Sequence, residues 1–166
     1  KARKVVPGLN AAFVDVGFEK DGFLHYHDLG PQIRSLNKYV RQTISGRQNR
    51  WSLANFKLEK DIPKGGIVDS VLTNKQSLLV QVTKEPISTK GPRISAELSI
   101  AGRFLVLVPF SDRVSVSQKI KDNSEKERLK RLINSIKPKG FGVIIRTVAQ
   151  GKKVAELDSD LTNMFN

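Results

Sequence analysis

Hydrophobic and polar positions alternate with a strand-like period in the first part of the chain, and one helical pattern interrupts them. Residues 11–16 and 22–27 form a predicted hairpin around a glycine-containing loop. Apolar residues recur every three or four positions over residues 33–44, which predicts a helix that Gly46 ends. Three further strands are predicted at residues 1–6, 77–84 and 93–100. Residues 47–66, which include Trp51 and Phe56, have weak periodicity and are predicted to form a long, partly disordered connection.

The second part of the chain alternates strands and helices. Strands are predicted at residues 103–109, 113–119 and 142–147. Helices are predicted at residues 125–136, with Ser124 as the N-cap, and at residues 152–165. The pattern therefore predicts a mixed α+β protein, with a five-stranded OB-type β-barrel over residues 1–96 and a small α/β unit over residues 97–166.

The predicted hairpin carries two aromatic residues on its polar face. If Val16 pairs with Gly22, then Phe13 and Phe23 are diagonal neighbours on that face, roughly 7–8 Å apart. Aromatic rings on an open, polar face are a stacking surface for unpaired bases. In the OB architecture, strands 2 and 3 form the usual oligonucleotide-binding face, and these are the strands concerned.

The charge balance favours a polyanionic partner. The chain has 166 residues and a net charge of +13, from 29 Lys and Arg against 16 Asp and Glu. Nucleic acid is the first candidate partner, and a solvated basic surface is the alternative. The absence of cysteine excludes disulfides and thiolate metal sites and fits a reducing compartment. No membrane span or signal peptide is visible, and the start at Lys1 leads us to expect a piece of a longer protein.

Two basic positions could bind phosphate. Arg146 and Thr147 follow the apolar run 143–145, and an arginine fork beside a hydroxyl suits a phosphate group. The alternative is an arginine that leaves the core to pair with a carboxylate. Lys90 lies in a Gly/Pro loop, where it could contact a phosphate or be one more surface lysine.

The remaining candidates are weaker. His25 and His27 share a face at strand spacing, but without a third ligand a surface pair or an RNA contact is favoured over a metal site. Asp158 and Asp160 could bind magnesium, although such residues on a helix are more often solvated. The sequence shows no catalytic centre and no metal site.

Four segments together resemble the ribonuclease E/G family of endoribonucleases. They are NAAFVDVGFEKDGFLH (10–25), VQVTKEPISTKGPR (80–93), ELSIAGRFLVLVP (97–109) and GVIIRTVAQGK (142–152). The resemblance implies an S1-type RNA-binding barrel followed by the family's 5′-sensor. Its implied RNA-binding residues are Phe13, Phe23 and Lys90. Its implied 5′-monophosphate-binding residues are Gly102, through its backbone, Val106, against the terminal base, and Arg146 and Thr147, which would hold the phosphate.

The resemblance also implies a parent enzyme that processes rRNA and decays mRNA in the bacterial cytoplasm, with Mg²⁺ and commonly as an oligomer. The family's magnesium site lies in a later subdomain, so we expect this chain to need no cofactor, to bind single-stranded RNA and not to cut it. The chain has Gln118-Lys119 where the family has a basic pair, and its connection over residues 34–63 is longer than usual. The alternatives are a non-catalytic RNA-binding module associated with the ribosome or translation, and a single-stranded DNA binder.

Overall fold

The computed structural model describes residues 1–47 and 53–166. Over these residues the protein is a mixed α+β structure with three α-helices and two mixed β-sheets. It divides into two compact units: residues 1–47 with 59–98, and residues 53–58 with 99–166. The assignment of residues 1–96 and 97–166 to an S1-like domain and a 5′-sensor stays a prediction. Trp51 lies outside the described residues.

The first unit contains a five-stranded sheet with the order β1-β2-β3-β5-β4. Its strands are β1 (Ala2–Val6), β2 (Ala11–Val14), β3 (Gly22–His25), β4 (Gln81–Lys84) and β5 (Arg93–Ser95). Neighbouring strands are antiparallel except β3 and β5, which are parallel. Leu24 and Ile94 are fully buried on one side of this sheet.

The sheet differs from the predicted barrel, because among the described residues no hydrogen-bonded ladder joins β4 to β1. Another segment occupies the outer edge of β1. The side-chain oxygen of Asn74 accepts the N–H of Val5 at 2.8 Å, and Ala2 exchanges backbone hydrogen bonds with Lys75 and Gln76 at 2.9 and 2.8 Å. The strand predicted over residues 77–84 shortens accordingly to β4, which is exposed along its whole length.

The hairpin forms with a register two residues from the predicted one. Val14, not Val16, is opposite Gly22, so Phe13 is directly opposite Phe23 instead of diagonal to it. The reason lies in the loop: Asp15 leaves the strand ladder, and its side chain accepts the N–H of Gly17 at 3.0 Å. The loop is therefore longer than the five residues that the alternation indicated.

Helix α1 spans Ile33–Ile44, as predicted, and Gly46 follows it with φ = 75°, a left-handed conformation that glycine adopts at low cost. Residues 59–63, from the connection that the sequence analysis expects to be partly disordered, belong to the first unit and are hydrogen-bonded to it. The Tyr26 hydroxyl donates to the Pro63 carbonyl, and the N–H of Glu59 donates to Ser35 Oγ at 2.8 Å.

The second unit contains a four-stranded sheet with the order β6-β7-β9-β8, in which β8 and β9 are parallel. Its elements are β6 (Ile100–Ala101), β7 (Leu105–Pro109), β8 (Val114–Val116), α2 (Asn123–Ile136), β9 (Phe141–Ile145) and α3 (Val154–Met164). The core contains Leu105, Leu107 and Ile145 from the sheet, Ile133 from α2 and Leu157 from α3, all fully buried. Such burial contributes roughly 1.5–3 kcal/mol for each large side chain.

Two predicted element boundaries are wrong for local reasons. The strand predicted at 93–100 ends at Ser95, because Ser95 and Ala96 both donate to the Asp28 carbonyl and so turn the chain, while Ile100 belongs to the other sheet. Helix α2 begins two residues earlier than predicted: Asp122, not Ser124, is its N-cap, and the Asp122 carboxylate accepts the N–H of Ser124 at 2.9 Å. In the described ranges, no helix has the length and apolar character needed to cross a membrane.

Candidate nucleic-acid interface

Two aromatic rings meet on the open face of the first sheet. The side chains of Phe13 and Phe23 point to the same side because they are a cross-strand pair, and their ring centroids are 5.6 Å apart in an edge-to-face arrangement. Phe23 is 41% exposed, which is unusual for a large apolar ring in a sheet with a packed opposite face. The pair thus presents a ring surface to solvent.

The rings line an open cleft of about 930 Å³ together with three cations. These are Lys20, Lys90 and Arg93, from the hairpin loop, the Gly/Pro loop and β5. The carboxylates of Asp21 and Asp28 also line the cleft, and Arg3 Nε donates to Asp21 at 2.9 Å. The cleft therefore combines aromatic surface with a lining in which cations outnumber carboxylates, a combination suited to single-stranded nucleic acid.

His25 and His27 line the same cleft. Their ring centroids are 4.7 Å apart, and His25 is 6.5 Å from Phe23. His25 Nδ1 accepts a hydrogen bond from the backbone N–H of His27 at 3.1 Å, so this ring nitrogen is occupied by the protein backbone. Within the part of the chain that the structure describes, no group of three or more His, Cys, Asp or Glu residues could hold a metal ion.

In the second unit, Arg146 follows β9 and crosses to the turn that precedes β7. Its Nη1 donates to the carbonyls of Gly102 at 3.1 Å and Arg103 at 3.3 Å. The alternative, a pairing with a carboxylate, is not formed with any described residue. No described group bonds to Nε or Nη2, which leaves part of the guanidinium fork available to a ligand.

Arg146 and Thr147 line an open pocket of about 660 Å³ with two further cations. The Arg103 guanidinium lies 5.2 Å and the Lys152 Nζ lies 5.5 Å from the ring centroid of Phe104, which also lines the pocket. Three positive side chains around one opening favour an anion. This arrangement can accept a phosphate group through charge-assisted hydrogen bonds.

The Thr147 hydroxyl has a partner that the sequence analysis missed. Thr147 Oγ1 and Ser117 Oγ are 2.8 Å apart, and either can donate. When Ser117 donates, the Thr147 proton is free to point to a ligand. The only hint in the sequence was that parallel strands place their carboxyl ends together, which brings the end of β8 beside the end of β9.

Asp160 on α3 organises the turn under Arg146. Its carboxylate is buried and accepts three consecutive backbone N–H groups, those of Arg103, Phe104 and Leu105, at 2.8, 2.9 and 3.1 Å. Gly102 allows this approach, since a Cβ there would lie 2.7 Å from a carboxylate oxygen. The alternative of a magnesium-binding or solvated Asp160 is therefore replaced by a structural role.

On the other side of the pocket, Glu125 and Arg128 of α2 hold the loop after β9. Glu125 accepts from the guanidinium of Arg128 and from the N–H of Gly151, and Arg128 Nη1 donates to the Lys152 carbonyl at 3.0 Å. The hydrogen bond from Arg128, then that from Gly151, lowers the pKa of Glu125 from 4.5 to about 2. This pair fixes the backbone that carries Lys152.

Val106 and Gly102, the other two expected 5′-phosphate-binding residues, are not among the residues that line this pocket. Val106 is half-buried on the outer face of the second sheet, paired with Ala101 and with Ile144, which is 42% exposed. The Gly102 carbonyl accepts from Arg146, and its N–H donates to the Leu105 carbonyl at 2.8 Å. Gly102 is thus joined to the pocket through Arg146, and Val106 forms an apolar pair with Ile144.

Residues 99–166 match the model of the ribonuclease E/G family. The chain is 37% identical over 158 residues to ribonuclease E of Nostoc sp., which covers 95% of this chain and 19% of that protein. It is 34% identical over 160 residues to ribonuclease G of Escherichia coli, which covers 96% and 29%. It is 36% identical over 162 residues to a ribonuclease E/G-like protein of Porphyra purpurea, which covers 97% and 26%.

The chain belongs to the ribonuclease E/G family. It spans 19–29% of the length of these curated relatives. The similarity extends over both units, since each alignment includes at least 95% of the chain.

Replacing Asp160 by Asn should loosen the turn at residues 103–105. An amide nitrogen cannot accept a hydrogen bond, so at least one buried N–H loses its acceptor, at a cost of about 1–3 kcal/mol. Amide hydrogen exchange of Arg103, Phe104 and Leu105 should become faster. Asp158→Asn, an exposed position on the same helix, is the matched control. Unchanged exchange at all three amides would contradict the role of Asp160.

Glu125 should make the second unit sensitive to acid. Because its pKa in the folded state is about 2, below the ordinary 4.5, its contribution to stability is complete above pH 4.5 and is lost as the pH falls from 4.5 towards 2. Denaturant unfolding of the protein and of Glu125→Gln should differ at pH 6 and converge near pH 2.5. Glu127→Gln, exposed on the same helix, should show no such convergence. A difference that is constant with pH would exclude the mechanism.

Proposed function

We propose that the chain is the RNA-binding and 5′-monophosphate-sensing portion of a ribonuclease E/G-type endoribonuclease that acts in rRNA processing and mRNA decay. The observation that carries the proposal is the cleft in which Phe13 and Phe23 meet at 5.6 Å beside Lys90. Exposed rings and cations in one cleft fit single-stranded RNA, since bases stack on the rings while cations contact the phosphates.

The strand arrangement supports an OB-type, S1-like assignment of the first unit. The two rings lie on β2 and β3, the strands that form the oligonucleotide-binding face of OB-folds, which are five-stranded and partly open. The sheet here also has five strands, and its order places β5 between β3 and β4.

The pocket around Arg146 supports the sensing part of the proposal. A 5′-monophosphate carries more negative charge than an internal phosphodiester, so a site with three cations and a hydroxyl favours the end of the strand. The apolar side chain of Val106, on the adjacent sheet face, would contact the terminal base. The backbone of Gly102 contributes by holding Arg146.

The role of such a portion is to hold RNA while cleavage takes place elsewhere in a longer cytoplasmic protein. Anchoring the 5′ end raises the local concentration of a downstream bond at a catalytic site. Among the described residues no group of three or more His, Cys, Asp or Glu is placed to hold a metal ion. In this proposal, Mg²⁺, strand cleavage and oligomerisation belong to the rest of the parent enzyme.

Phe13→Ala and Phe23→Ala should each weaken binding of single-stranded RNA by about 1–3 kcal/mol, the usual loss of one base-stacking ring. Phe18→Ala is the matched control, because Phe18 is 43% exposed, close to the 41% of Phe23, but lies outside the cleft lining. Fluorescence anisotropy at fixed salt measures the dissociation constants. Equal affinities for all three variants and the unsubstituted chain would exclude the stacking surface.

A competition between RNA and DNA oligomers of one sequence distinguishes the remaining nucleic-acid alternative. We expect RNA to compete at least as well as DNA. A clear preference for DNA would instead support a single-stranded DNA binder.

Arg146→Ala should abolish the preference for a 5′-monophosphate over a 5′-hydroxyl on otherwise identical RNA. A hydrogen bond to a charged group contributes about 1.5–3 kcal/mol, so the unsubstituted chain should bind the phosphorylated strand roughly tenfold or more tightly. Binding of the hydroxyl-ended strand should change little. Arg131→Ala, exposed on α2 and outside the pocket, is the control.

Two other results would each change the proposal. Equal affinity of the unsubstituted chain for both strand ends would support a plain RNA-binding module of the kind associated with the ribosome or translation. Equal losses for both strands in Arg146→Ala would make Arg146 a structural residue or a general backbone contact.

A further inference from the structure

We propose that His25 and His27 extend the base-stacking surface of the first unit from two rings to four. The inference rests on the proposed RNA-binding function of the cleft and adds two binding residues to it. The ligand is a single RNA strand long enough to pass all four rings in order, from Phe13 through Phe23 and His25 to His27.

The backbone places these rings in one row. Phe13 is opposite Phe23 across the β2–β3 ladder, and His25 follows Phe23 by two residues, so its side chain emerges on the same face. The 3₁₀ turn Tyr26–Asp28 then brings His27 beside His25. The successive centroid distances are 5.6, 6.5 and 4.7 Å, and all four rings line the one cleft.

The rings are inclined to one another and not stacked in parallel, so the ring faces that no neighbouring edge covers are available to a ligand. Neighbouring rings are inclined by 61°, 42° and 57°. Their separations also exceed the roughly 3.4 Å between successive bases of one strand in a duplex. Each ring can therefore receive a separate base of an unstacked strand, which is how single-stranded RNA is recognised.

The orientation of His25 is set by the chain itself. Its Nδ1 accepts the N–H of His27 at 3.1 Å, which fixes the ring at the start of the 3₁₀ turn and leaves Nε2 as the nitrogen that carries hydrogen in a neutral ring. A ring held in this way loses little conformational freedom when a base stacks on it.

The cations of the cleft come from other segments than this turn. Lys20 and Lys90 are on loops and Arg93 is on β5, whereas the turn itself contributes the carboxylate of Asp28. Contacts at the histidine end therefore depend on stacking more than on phosphate neutralisation. Loss of a histidine ring should accordingly leave the salt dependence of binding almost unchanged.

The test measures affinity against RNA length. Oligouridylates of three to ten nucleotides are titrated at fixed salt into the chain and into three variants: His25→Asn, His27→Ala and His27→Phe. Asparagine keeps a side-chain acceptor for the N–H of residue 27 but removes the ring. Phenylalanine keeps a ring but removes the imidazole nitrogens, so it separates stacking from hydrogen bonding, charge and metal ligation.

We expect His25→Asn and His27→Ala to bind long oligomers about fivefold or more weakly, the lower end of the loss of one stacking ring. The shortest oligomers, which Phe13 and Phe23 can accommodate, should bind these variants and the unsubstituted chain alike. His27→Phe should retain the affinity for long oligomers, and the slope of affinity against salt should stay the same.

Phe23→Ala, measured on the same oligomers, distinguishes a failure of the histidine extension from a failure of the two-ring cleft itself. If Phe23→Ala weakens all lengths and the histidine variants weaken none, the extension is wrong and the two-ring cleft stands. If Phe23→Ala also has no effect, the proposed function of the cleft fails. If His27→Phe loses as much affinity as His27→Ala, the histidine contact is not stacking, and the inference is overturned.

Discussion

The carboxylate of Asp160 accepts hydrogen bonds from the N–H groups of three consecutive residues, and the arrangement of the pocket around Arg146 depends on that contact. Backbone donors in a tight turn point in similar directions and need an acceptor when they are buried. Asp160 supplies it from α3, with distances of 2.8–3.1 Å to residues 103–105. The contact requires Gly102, because any Cβ at that position would occupy the place of the carboxylate. A helix, a turn and a glycine are thereby fixed together.

Arg146 donates hydrogen bonds to backbone carbonyls of this turn. With their N–H groups directed to Asp160 and Leu105, residues 102 and 103 leave their carbonyls to accept from the Arg146 guanidinium. On the opposite side of the pocket, Glu125 and Arg128 hold the backbone that carries Lys152. Two buried or half-buried carboxylates on two helices thus position the cations of one pocket without lining the anion site themselves.

The sequence predicted correctly those elements that are defined by residues close to one another along the chain. Helix α1 was predicted over its full length because its apolar spacing and Gly46 are sufficient to define it. The hairpin register was not predictable, because the hydrogen bond from the N–H of Gly17 to Asp15 lengthens the loop, and alternation alone does not show this. The open edge of the first sheet was not predicted either. There, the hydrogen bond from the N–H of Val5 to the side chain of Asn74 joins residues far apart in sequence. Asp160 was misinterpreted because its partners are backbone groups, which leave no pattern in the sequence.

The placement of carboxylates contributes to the positive character of both sites in this basic chain. Asp21 lines the first cleft but is paired with Arg3, which itself lies outside the cleft lining. Asp160 and Glu125 are occupied by backbone and by Arg128 around the second pocket. Because Asp21, Asp160 and Glu125 have partners within the protein, they do not compete with phosphate for the cations that face solvent at each opening. Asp28 is the other carboxylate among the residues that line the first cleft. The sites are therefore positive through the placement of their acids as much as through the number of their lysines and arginines.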